Sequence, residues 1–294
     1  MSKLLDFIGN TPLVELTNIN PNPNVRLFAK LEGHNPGGSV KDRAAYGLIK
    51  GALDAGTIDQ SSKLIEATSG NTGIALAMIA RLLNMEIELV MPENSTKERV
   101  TTMRAFGAKV TLTPEAGGME AAIDYARNKV EKEGFVMLDQ FSNPNNPLMH
   151  YQTTGPEIYS DTQGEITHFV SAMGTTGTIM GVSRYLKEQN PNIQIIGAQP
   201  AENAKIPGIR KWPLDYLPAI FEPNRVDQLI DVSEEEARNM ARRLAKEEGV
   251  FGGMSSGGAV AVALKLIPQL TSGTVVCIIC DRGDKYLSTD LFED

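Results

Sequence analysis

Short apolar runs alternate with longer amphipathic stretches along almost the whole chain. The apolar runs predict strands at residues 26–31, 63–67, 87–91, 109–113, 135–138, 166–172, 193–198 and 274–279. Apolar positions at helical spacing predict helices at residues 41–53, 72–83, 96–106, 119–132, 148–159, 177–187, 234–248 and 256–266. This alternation is typical of α/β proteins with mainly parallel sheets covered by helices on both faces.

The strand and helix pattern divides into two α/β units. A polar, Pro- and Asn-rich segment at residues 142–147 is the best candidate for the boundary between them, and no internal sequence repeat relates the two. Ligands of open parallel sheets bind beyond the carboxyl ends of the strands, in the turns that lead to helices. Those turns are where glycine and hydroxyl residues concentrate in this chain.

Three such turns have the composition of anion-binding sites: residues 67–73 (ATSGNTG), 173–181 (MGTTGTIMG) and 252–258 (GGMSSGG). Glycine lets the backbone approach a ligand closely, and free N–H groups at a helix start attract negative charge. The first turn suits a carboxylate. The second has neither the spacing of a dinucleotide site nor a Walker lysine, so it suits a single phosphate monoester. The alternative for each turn is an ordinary helix start without a ligand. In the turn at residues 252–258, one serine would then be the N-cap.

Residues 35–43 (NPGGSVKDR) place a lysine at the start of a predicted helix. Ser39 and Asp42 match the S-x-x-[DE] pattern of a capping box, which predicts Lys41 in the first turn. A cation there opposes the helix dipole, although an ordinary surface lysine is the alternative. Desolvation of the amine would make it a nucleophile. A reactive lysine, a phosphate site and a carboxylate site together indicate pyridoxal phosphate chemistry on an amino acid.

Charge and composition exclude other classes of protein. With 28 basic and 36 acidic residues among 294, the net charge is −8, which predicts neither nucleic acid nor an anionic membrane as a partner. No apolar run reaches the length of a membrane span, and the N-terminus lacks the apolar stretch of a signal peptide, so we expect a cytoplasmic protein. Cys277 and Cys280 have no further ligands at zinc-binding spacing, so no metal site is predicted.

Five segments resemble the cysteine synthases: residues 35–43, 68–73 (TSGNTG), 154–158 (TGPEI), 174–178 (GTTGT) and 255–259 (SSGGA). These are fold-type II pyridoxal phosphate enzymes related to the tryptophan synthase β-subunit. The resemblance runs essentially end to end and is highly specific, because the five motifs follow one another in the same order. Residues 207–212 (PGIRKW) and 280–289 (CDRGDKYLST) resemble the B-type branch, which accepts thiosulfate. Lys211 departs from the arginine of that branch.

The resemblance implies a role for each matching residue. Lys41 would bind the cofactor covalently and move the substrate α-proton, Asn71 would contact the cofactor's phenolic oxygen, and Ser255 would face its pyridine nitrogen. The phosphate would be bound by Gly174, Thr175, Thr176, Gly177 and Thr178. The substrate would be bound by Thr68, Ser69, Thr72, Gln140, Arg210, Lys211, Trp212, Cys280 and Asp281. For thiosulfate, the resemblance implies that Arg210, and with it Lys211, supplies positive charge, while the geometry at position 211 stays open.

The implied fold has two open, mainly parallel three-layer αβα domains. Residues 36–144 would form a smaller mobile domain that closes over the cofactor, and residues 1–35 and 145–294 a larger one that holds its phosphate, in a homodimer. The implied reaction is a ping-pong β-replacement in which O-acetyl-L-serine loses acetate before sulfide or thiosulfate adds. A neutral Ser255 favours this elimination, because it leaves the cofactor ring a weaker electron sink than a carboxylate would. A serine or threonine dehydratase, a non-catalytic binding protein and a nucleotide-binding protein are the alternatives.

Overall fold

Two mainly parallel sheets organise the protein, whose computed structural model describes residues 3–213 and 216–293. The strands are β1 (Leu13–Glu15), β2 (Val25–Leu31), β3 (Lys63–Ala67), β4 (Glu86–Pro92), β5 (Lys109–Thr113), β6 (His168–Ala172), β7 (Gln194–Pro200), β8 (Gln228–Val232) and β9 (Gly273–Ile279). The helices are α1 (Lys41–Asp54), α2 (Asn71–Leu82), α3 (Lys97–Ala105), α4 (Gly118–Glu133), α5 (Asn145–Gln152), α6 (Thr154–Asp161), α7 (Gly177–Gln189), α8 (Glu234–Glu248) and α9 (Met254–Leu266).

The larger sheet has the strand order β1-β2-β9-β6-β7-β8, and only β1 runs antiparallel to its neighbour. The smaller sheet has the order β3-β4-β5 and is parallel throughout. Central strands such as β9 and β4 are buried along nearly their whole length, which explains their continuous apolar sequences. Because the parallel strands run in the same direction, their carboxyl ends meet at one edge of each sheet, where ligand-binding turns are usually found.

Helices cover both faces of each sheet. In the larger sheet Val170 packs with residues of α8 and α9, while its neighbour Phe169 packs on the opposite face with residues of α6 and α7. In the smaller sheet Leu64 faces the core that includes α1 and α2, and Ile65 faces α4. Successive residues of a strand point to opposite faces, so each strand contributes to two cores. The result is two three-layer αβα units, as predicted.

Most predicted elements are confirmed within two residues at each end, and four details are wrong. Residues 135–138 are not a strand, because only Val136 pairs with the sheet, through a single bridge to Leu64. The predicted helix at 148–159 is two helices, broken at Thr153. Strand β8 and the short strand β1 lie in segments for which no strand was predicted. The domain boundaries at residues 36 and 144 stay a prediction.

The predicted capping box at the start of α1 is also wrong. Val40, not Ser39, is the N-cap, and its side chain makes no capping hydrogen bond. The Asp42 carboxylate instead accepts a hydrogen bond from the backbone N–H of Gly37. Because this carboxylate turns back to the Pro-Gly-Gly bend, it fixes the loop that precedes Lys41.

Candidate active site

A cavity of about 1540 Å³ lies beyond the carboxyl ends of the strands, between turns contributed by both sheets. Fifteen of the seventeen residues predicted for the site line it: Lys41, Thr68, Ser69, Asn71, Thr72, Gln140, Gly174, Thr175, Thr176, Thr178, Arg210, Lys211, Trp212, Ser255 and Cys280. Gly177 and Asp281 lie behind the cavity wall. The three predicted anion-binding turns and the lysine loop therefore meet at one place.

Lys41 is the first residue of α1 and is half-buried at the cavity. Its loop is tied to the chain after β9, because the N–H of Val40 donates to the carbonyl of Cys280 at 2.8 Å and Ser39 bridges to Asp281. Burial lowers the pKa of the Lys41 amine, and the negative charges of nearby Asp281 and Glu32 oppose this only partly. A larger fraction of the amine is therefore neutral and nucleophilic than for an exposed lysine.

The turn after β3 leads directly into α2 and leaves the helix start uncapped. Gly70 is the N-cap of this helix and, having no side chain, offers no capping group. The hydroxyl of Thr72 donates to Oε1 of Gln140 at 2.8 Å, which links the turn to a residue far along the chain. The N–H groups at the helix start, with these two polar side chains, form a site of the right chemistry for a carboxylate.

The turn after β6 has an unusual backbone at the start of α7. Thr176 adopts the left-handed conformation (φ +71°), and its buried hydroxyl has no hydrogen-bond partner among the described residues. Asn146 supports the turn by donating from Nδ2 to the hydroxyl of Thr175 at 3.2 Å. A buried, unpartnered hydroxyl is costly unless a ligand satisfies it. Together with the N–H groups of α7, it is suited to a phosphate.

The residues present fit pyridoxal phosphate. Lys41 offers an amine of lowered pKa for its aldehyde, and the turn at residues 174–178 offers a phosphate site with an unsatisfied hydroxyl. Ser255 is almost fully buried at the cavity, in the first turn of α9, which begins two residues earlier than predicted. Neither serine of that turn is the N-cap, because Gly253 occupies this position. Ser255 thus presents a neutral hydroxyl inside the helix start.

The side chain of Asn71 is held from two sides at the cavity wall. Its Nδ2 donates to Oδ2 of Asp281 at 2.7 Å, and its Oδ1 accepts from Nζ of Lys285 at 3.0 Å. Asp281 is buried and also accepts from the Tyr286 hydroxyl at 2.8 Å. Asp281 therefore contacts the cavity-lining Asn71 but does not line the cavity itself.

The segment that follows β7 covers the phosphate turn. Trp212 donates from Nε1 to the carbonyl of Gly174 at 2.8 Å, and the Arg210 guanidinium lies 5.3 Å from the centre of the Trp212 ring. Lys211 also lines the cavity, but its ammonium pairs with Asp231 at 3.1 Å. Lys211 is thus paired with a carboxylate, whereas the Arg210 guanidinium lies over an aromatic ring.

Asn146 and Lys285 belong to the site's surroundings and were not predicted to contribute to it. Asn146 lies in the polar segment that the sequence indicated as a boundary, and Lys285 lies 214 positions from the asparagine that it contacts. No local pattern distinguishes either residue from a surface residue. Lys285 does fall within the segment 280–289 that carries the B-type resemblance, and this was the only available signal.

The two cysteines are free, with Cys277 buried in β9 and Cys280 at the cavity. Burial raises the pKa of the Cys280 thiol to about 11, so the thiol is protonated at neutral pH. Among the residues that the structure describes, no group of three or more His, Cys, Asp or Glu side chains is placed to hold a metal ion.

Comparisons with known proteins show similarity along nearly the whole chain. Residues 4–281 match the family described as "Pyridoxal-phosphate dependent enzyme". The chain is 54% identical to cysteine synthase B of Pseudomonas aeruginosa, covering 99% of this chain and 97% of the relative, and 53% identical to cysteine synthase B of Escherichia coli, covering 99% and 96%. A crystal structure of cysteine synthase from Entamoeba histolytica superposes with a TM-score of 0.95 at 37% identity, covering 100% of this chain and 91% of that one.

Proposed function

The chain belongs to the family of pyridoxal-phosphate dependent enzymes, and from this premise we propose that it is a cysteine synthase of the B type. It converts O-acetyl-L-serine and sulfide to L-cysteine and acetate, and it forms S-sulfocysteine when thiosulfate replaces sulfide. The observation that carries the proposal is the meeting of Lys41, a carboxylate site and a phosphate site in one cavity. The identity to cysteine synthases over nearly the full chain supports the choice of substrate.

Cofactor and substrate use different turns in the proposed mechanism. The turn at residues 174–178 would bind the cofactor phosphate, Asn71 would contact its phenolic oxygen, and Ser255 would face its pyridine nitrogen. The turn at residues 68–72, with Gln140, binds the carboxylate of the amino acid. When bound, pyridoxal phosphate supplies an electron sink for the bonds at the substrate α-carbon. One anion site orients the cofactor and the other the substrate carboxylate, so the two would meet in a fixed geometry, which is a large part of the catalytic effect.

Lys41 then acts as the base. In the substrate complex its Nζ takes the proton from the α-carbon, and a lowered pKa keeps more of this amine neutral for that task. The acetate leaves from the β-carbon before the sulfur donor enters, so the reaction is ping-pong. Ser255 would offer the pyridine nitrogen of the cofactor a neutral hydroxyl and not a carboxylate, which would hold that nitrogen protonated.

Arg210 provides positive charge for the dianionic thiosulfate at the mouth of the cavity, with Trp212 beneath its guanidinium. Lys211 contributes less in this proposal, since Asp231 already neutralises its ammonium. Cys280 lines the same cavity as a neutral thiol. Sulfide needs no such charge, so the two donors should respond differently to changes at position 210.

A dehydratase is the alternative within the family, because the same elimination followed by water gives a keto acid. The full-length similarity to cysteine synthases favours sulfur addition. The purified protein, given O-acetyl-L-serine and sulfide, should release acetate and cysteine in equal amounts. Pyruvate as the main product at saturating sulfide would identify a dehydratase instead.

Lys41→Ala tests the assignment of the base. The variant should lose at least about a thousandfold in cysteine formation, since it lacks both the attachment point and the general base. Borohydride treatment of the wild type should leave the cofactor on the peptide that contains Lys41, detected by mass spectrometry. Attachment to another lysine would contradict the assignment.

We further propose that the enzyme is a cytoplasmic homodimer, as the resemblance to cysteine synthases implies. Within the described residues, no helix combines the length and apolar character that crossing a bilayer requires. Sedimentation equilibrium at micromolar concentration should give twice the mass of 31.9 kDa. A mass of one chain would contradict the dimer.

A further inference from the structure

The ammonium of Lys285 joins the Lys41 loop to the start of α2. Its Nζ donates to the carbonyl of Gly37 at 3.0 Å and to Oδ1 of Asn71 at 3.0 Å. Gly38 has a positive φ of +80°, and a Cβ at this position would lie 3.2 Å from Cε of Lys285. The lysine therefore lies directly against the bend that precedes Lys41.

The two partners of the Asn71 carboxamide have opposite hydrogen-bonding character. Lys285 can only donate and the carboxylate of Asp281 can only accept, so the oxygen and nitrogen of the amide cannot exchange places without losing both bonds. An asparagine with neutral hydroxyl partners would have no such preference. The pair consequently sets one orientation of the amide.

Burial makes the pair stronger than a surface arrangement. Asp281 is only 1% exposed, and its second oxygen, Oδ1, has no hydrogen-bond partner among the described residues. Lys285 is half-buried, and burial lowers the pKa of its amine while Asp281 and Asp42 oppose that shift. Charge-assisted hydrogen bonds in such surroundings are about twice as strong as neutral ones. The orientation of the amide is therefore well determined.

We propose that Lys285 and Asp281 are positioning residues that hold Asn71 so that it presents an N–H donor, and not its carbonyl oxygen, to the cofactor. The Nδ2 group has two hydrogens, and Asp281 takes only one of them. The other is available for an acceptor in the cavity that Asn71 lines. This inference rests on the proposed function, because it takes the acceptor to be the phenolic oxygen of pyridoxal phosphate.

The test measures the affinity of the full-length, cofactor-free protein for pyridoxal phosphate. Trp212 is the only tryptophan of the chain and lies at the cavity, so its fluorescence reports binding. Lys285→Met should weaken binding about tenfold, the effect expected for losing one charged hydrogen bond. Lys285→Arg keeps a donor and should restore most of the affinity. Lys50→Met removes an equivalent charge from an exposed i,i+4 pair and should change nothing.

A double-mutant cycle separates positioning from a general structural effect. In an Asn71→Ala background, Lys285→Met should cause less than a twofold further loss of cofactor affinity, because its contribution acts through the missing amide. Equal, additive losses in both backgrounds would overturn the proposal, and so would wild-type affinity in Lys285→Met. Circular dichroism and the melting temperature of each variant show whether it is folded. If Lys285→Met does not fold, Lys285→Gln, which keeps a neutral donor, replaces it in the same cycle.

The outcomes also separate this inference from the proposed function. Tight cofactor binding by the wild type without cysteine formation would refute the cysteine synthase proposal and leave the positioning role intact. Cysteine formation by the wild type with unchanged cofactor affinity in both Lys285 variants would refute the positioning role alone. A wild type that does not bind the cofactor would refute both.

Discussion

At the scale of single residues, the charge of Arg210 distinguishes the two sulfur donors. Arg210→Ala should lower kcat/KM for thiosulfate by roughly tenfold and for sulfide much less, because only the dianion needs the guanidinium. Steady-state kinetics with thiosulfate and with sulfide as the varied substrate, at saturating O-acetyl-L-serine, measure both values of kcat/KM. Lys211→Ala is the matched comparison and should change the ratio less than threefold, since Asp231 already pairs with this lysine. An unchanged thiosulfate-to-sulfide ratio in Arg210→Ala would contradict the assignment.

Glu66 is a buried carboxyl in β3 whose Oε2 has no hydrogen-bond partner among the described residues. Burial, together with the charge of Asp139, raises its pKa from 4.5 to about 8, so it is protonated in the folded protein at neutral pH. In the unfolded chain the same group ionises near its ordinary value. Folding therefore retains a proton on Glu66 between these two pKa values.

Because the folded protein keeps this proton and the unfolded chain loses it, the free energy of unfolding falls as pH rises from about 4.5 to about 8. The contribution of Glu66 is fully present below about pH 4.5 and is lost as pH approaches 8, by at most roughly 1.4 kcal/mol per pH unit. Glu66→Gln cannot ionise, so its advantage over the wild type should grow from pH 5 to 8 and then stay constant. Urea unfolding midpoints of both proteins across pH 5 to 9 measure this. A constant difference would show that Glu66 has an ordinary pKa.

At the scale of secondary-structure elements, a buried ion-pair network joins α1 and α6 to the residue that follows β2. Its arginine lies two residues beyond Lys41. Arg43 is fully buried, and its Nε lies 2.7 Å from Oε2 of Glu32 while its Nη1 lies 2.7 Å from Oε1 of Glu157. Glu32, directly after β2, is equally buried. The network fixes the first turn of α1, and hence the backbone of Lys41, to the larger sheet.

Removing one partner of this network should be costly. Arg43→Met leaves the Glu32 carboxylate buried without its cation and should lower the free energy of unfolding by about 3–5 kcal/mol. Urea denaturation measures the change. The double variant Arg43→Met with Glu32→Gln should recover part of it, because no unpaired charge remains.

Arg243→Met is the control for the loss of an arginine. Its guanidinium pairs with Glu247 one helical turn away on an exposed surface, so this variant should lose under about 1 kcal/mol. Equal decreases in the free energy of unfolding for Arg43→Met and Arg243→Met would show that burial of the Arg43 ion pairs does not raise the cost of losing the arginine.

At the scale of the whole molecule, we propose that the smaller unit, residues 36–144, moves over the cofactor when the substrate carboxylate binds. The carboxylate turn precedes α2 and follows the smaller sheet, whereas the phosphate turn follows the larger one. A ligand held by both turns would therefore bring the two units together. Closure would exclude water from the reacting atoms.

Hydrogen exchange tests this motion in the cofactor-loaded protein. L-serine should slow exchange at residues 68–73 and at the segment 206–213 across the cavity, whereas L-serine methyl ester, which lacks the carboxylate, should have a smaller effect. Small-angle scattering should show a decrease in the radius of gyration with L-serine only. The same exchange pattern with both ligands would argue against closure driven by the carboxylate.

Local patterns in the sequence determined the segments of this fold and the chemistry at their ends. Apolar periodicity predicted α8 (Glu234–Glu248) and β3 (Lys63–Ala67) with the bounds that the structure has, or within a residue of them. The three glycine-rich turns and Lys41 were likewise visible, because a helix start and its preceding strand are set by neighbours in sequence. The convergence of those turns followed from the general placement of ligands at strand ends.

Only the tertiary structure decided which distant residues become partners. The capping pattern at Ser39 and Asp42 did not form, because the Asp42 carboxylate found the N–H of Gly37 instead. Lys211 pairs with Asp231, and Lys285 reaches Asn71 across 214 positions of sequence. Such pairings depend on strand order, because the fold decides which side chains from distant parts of the sequence lie within hydrogen-bonding distance. For Lys285, which is half-buried, burial adds to this, since a charged group taken out of water needs a partner.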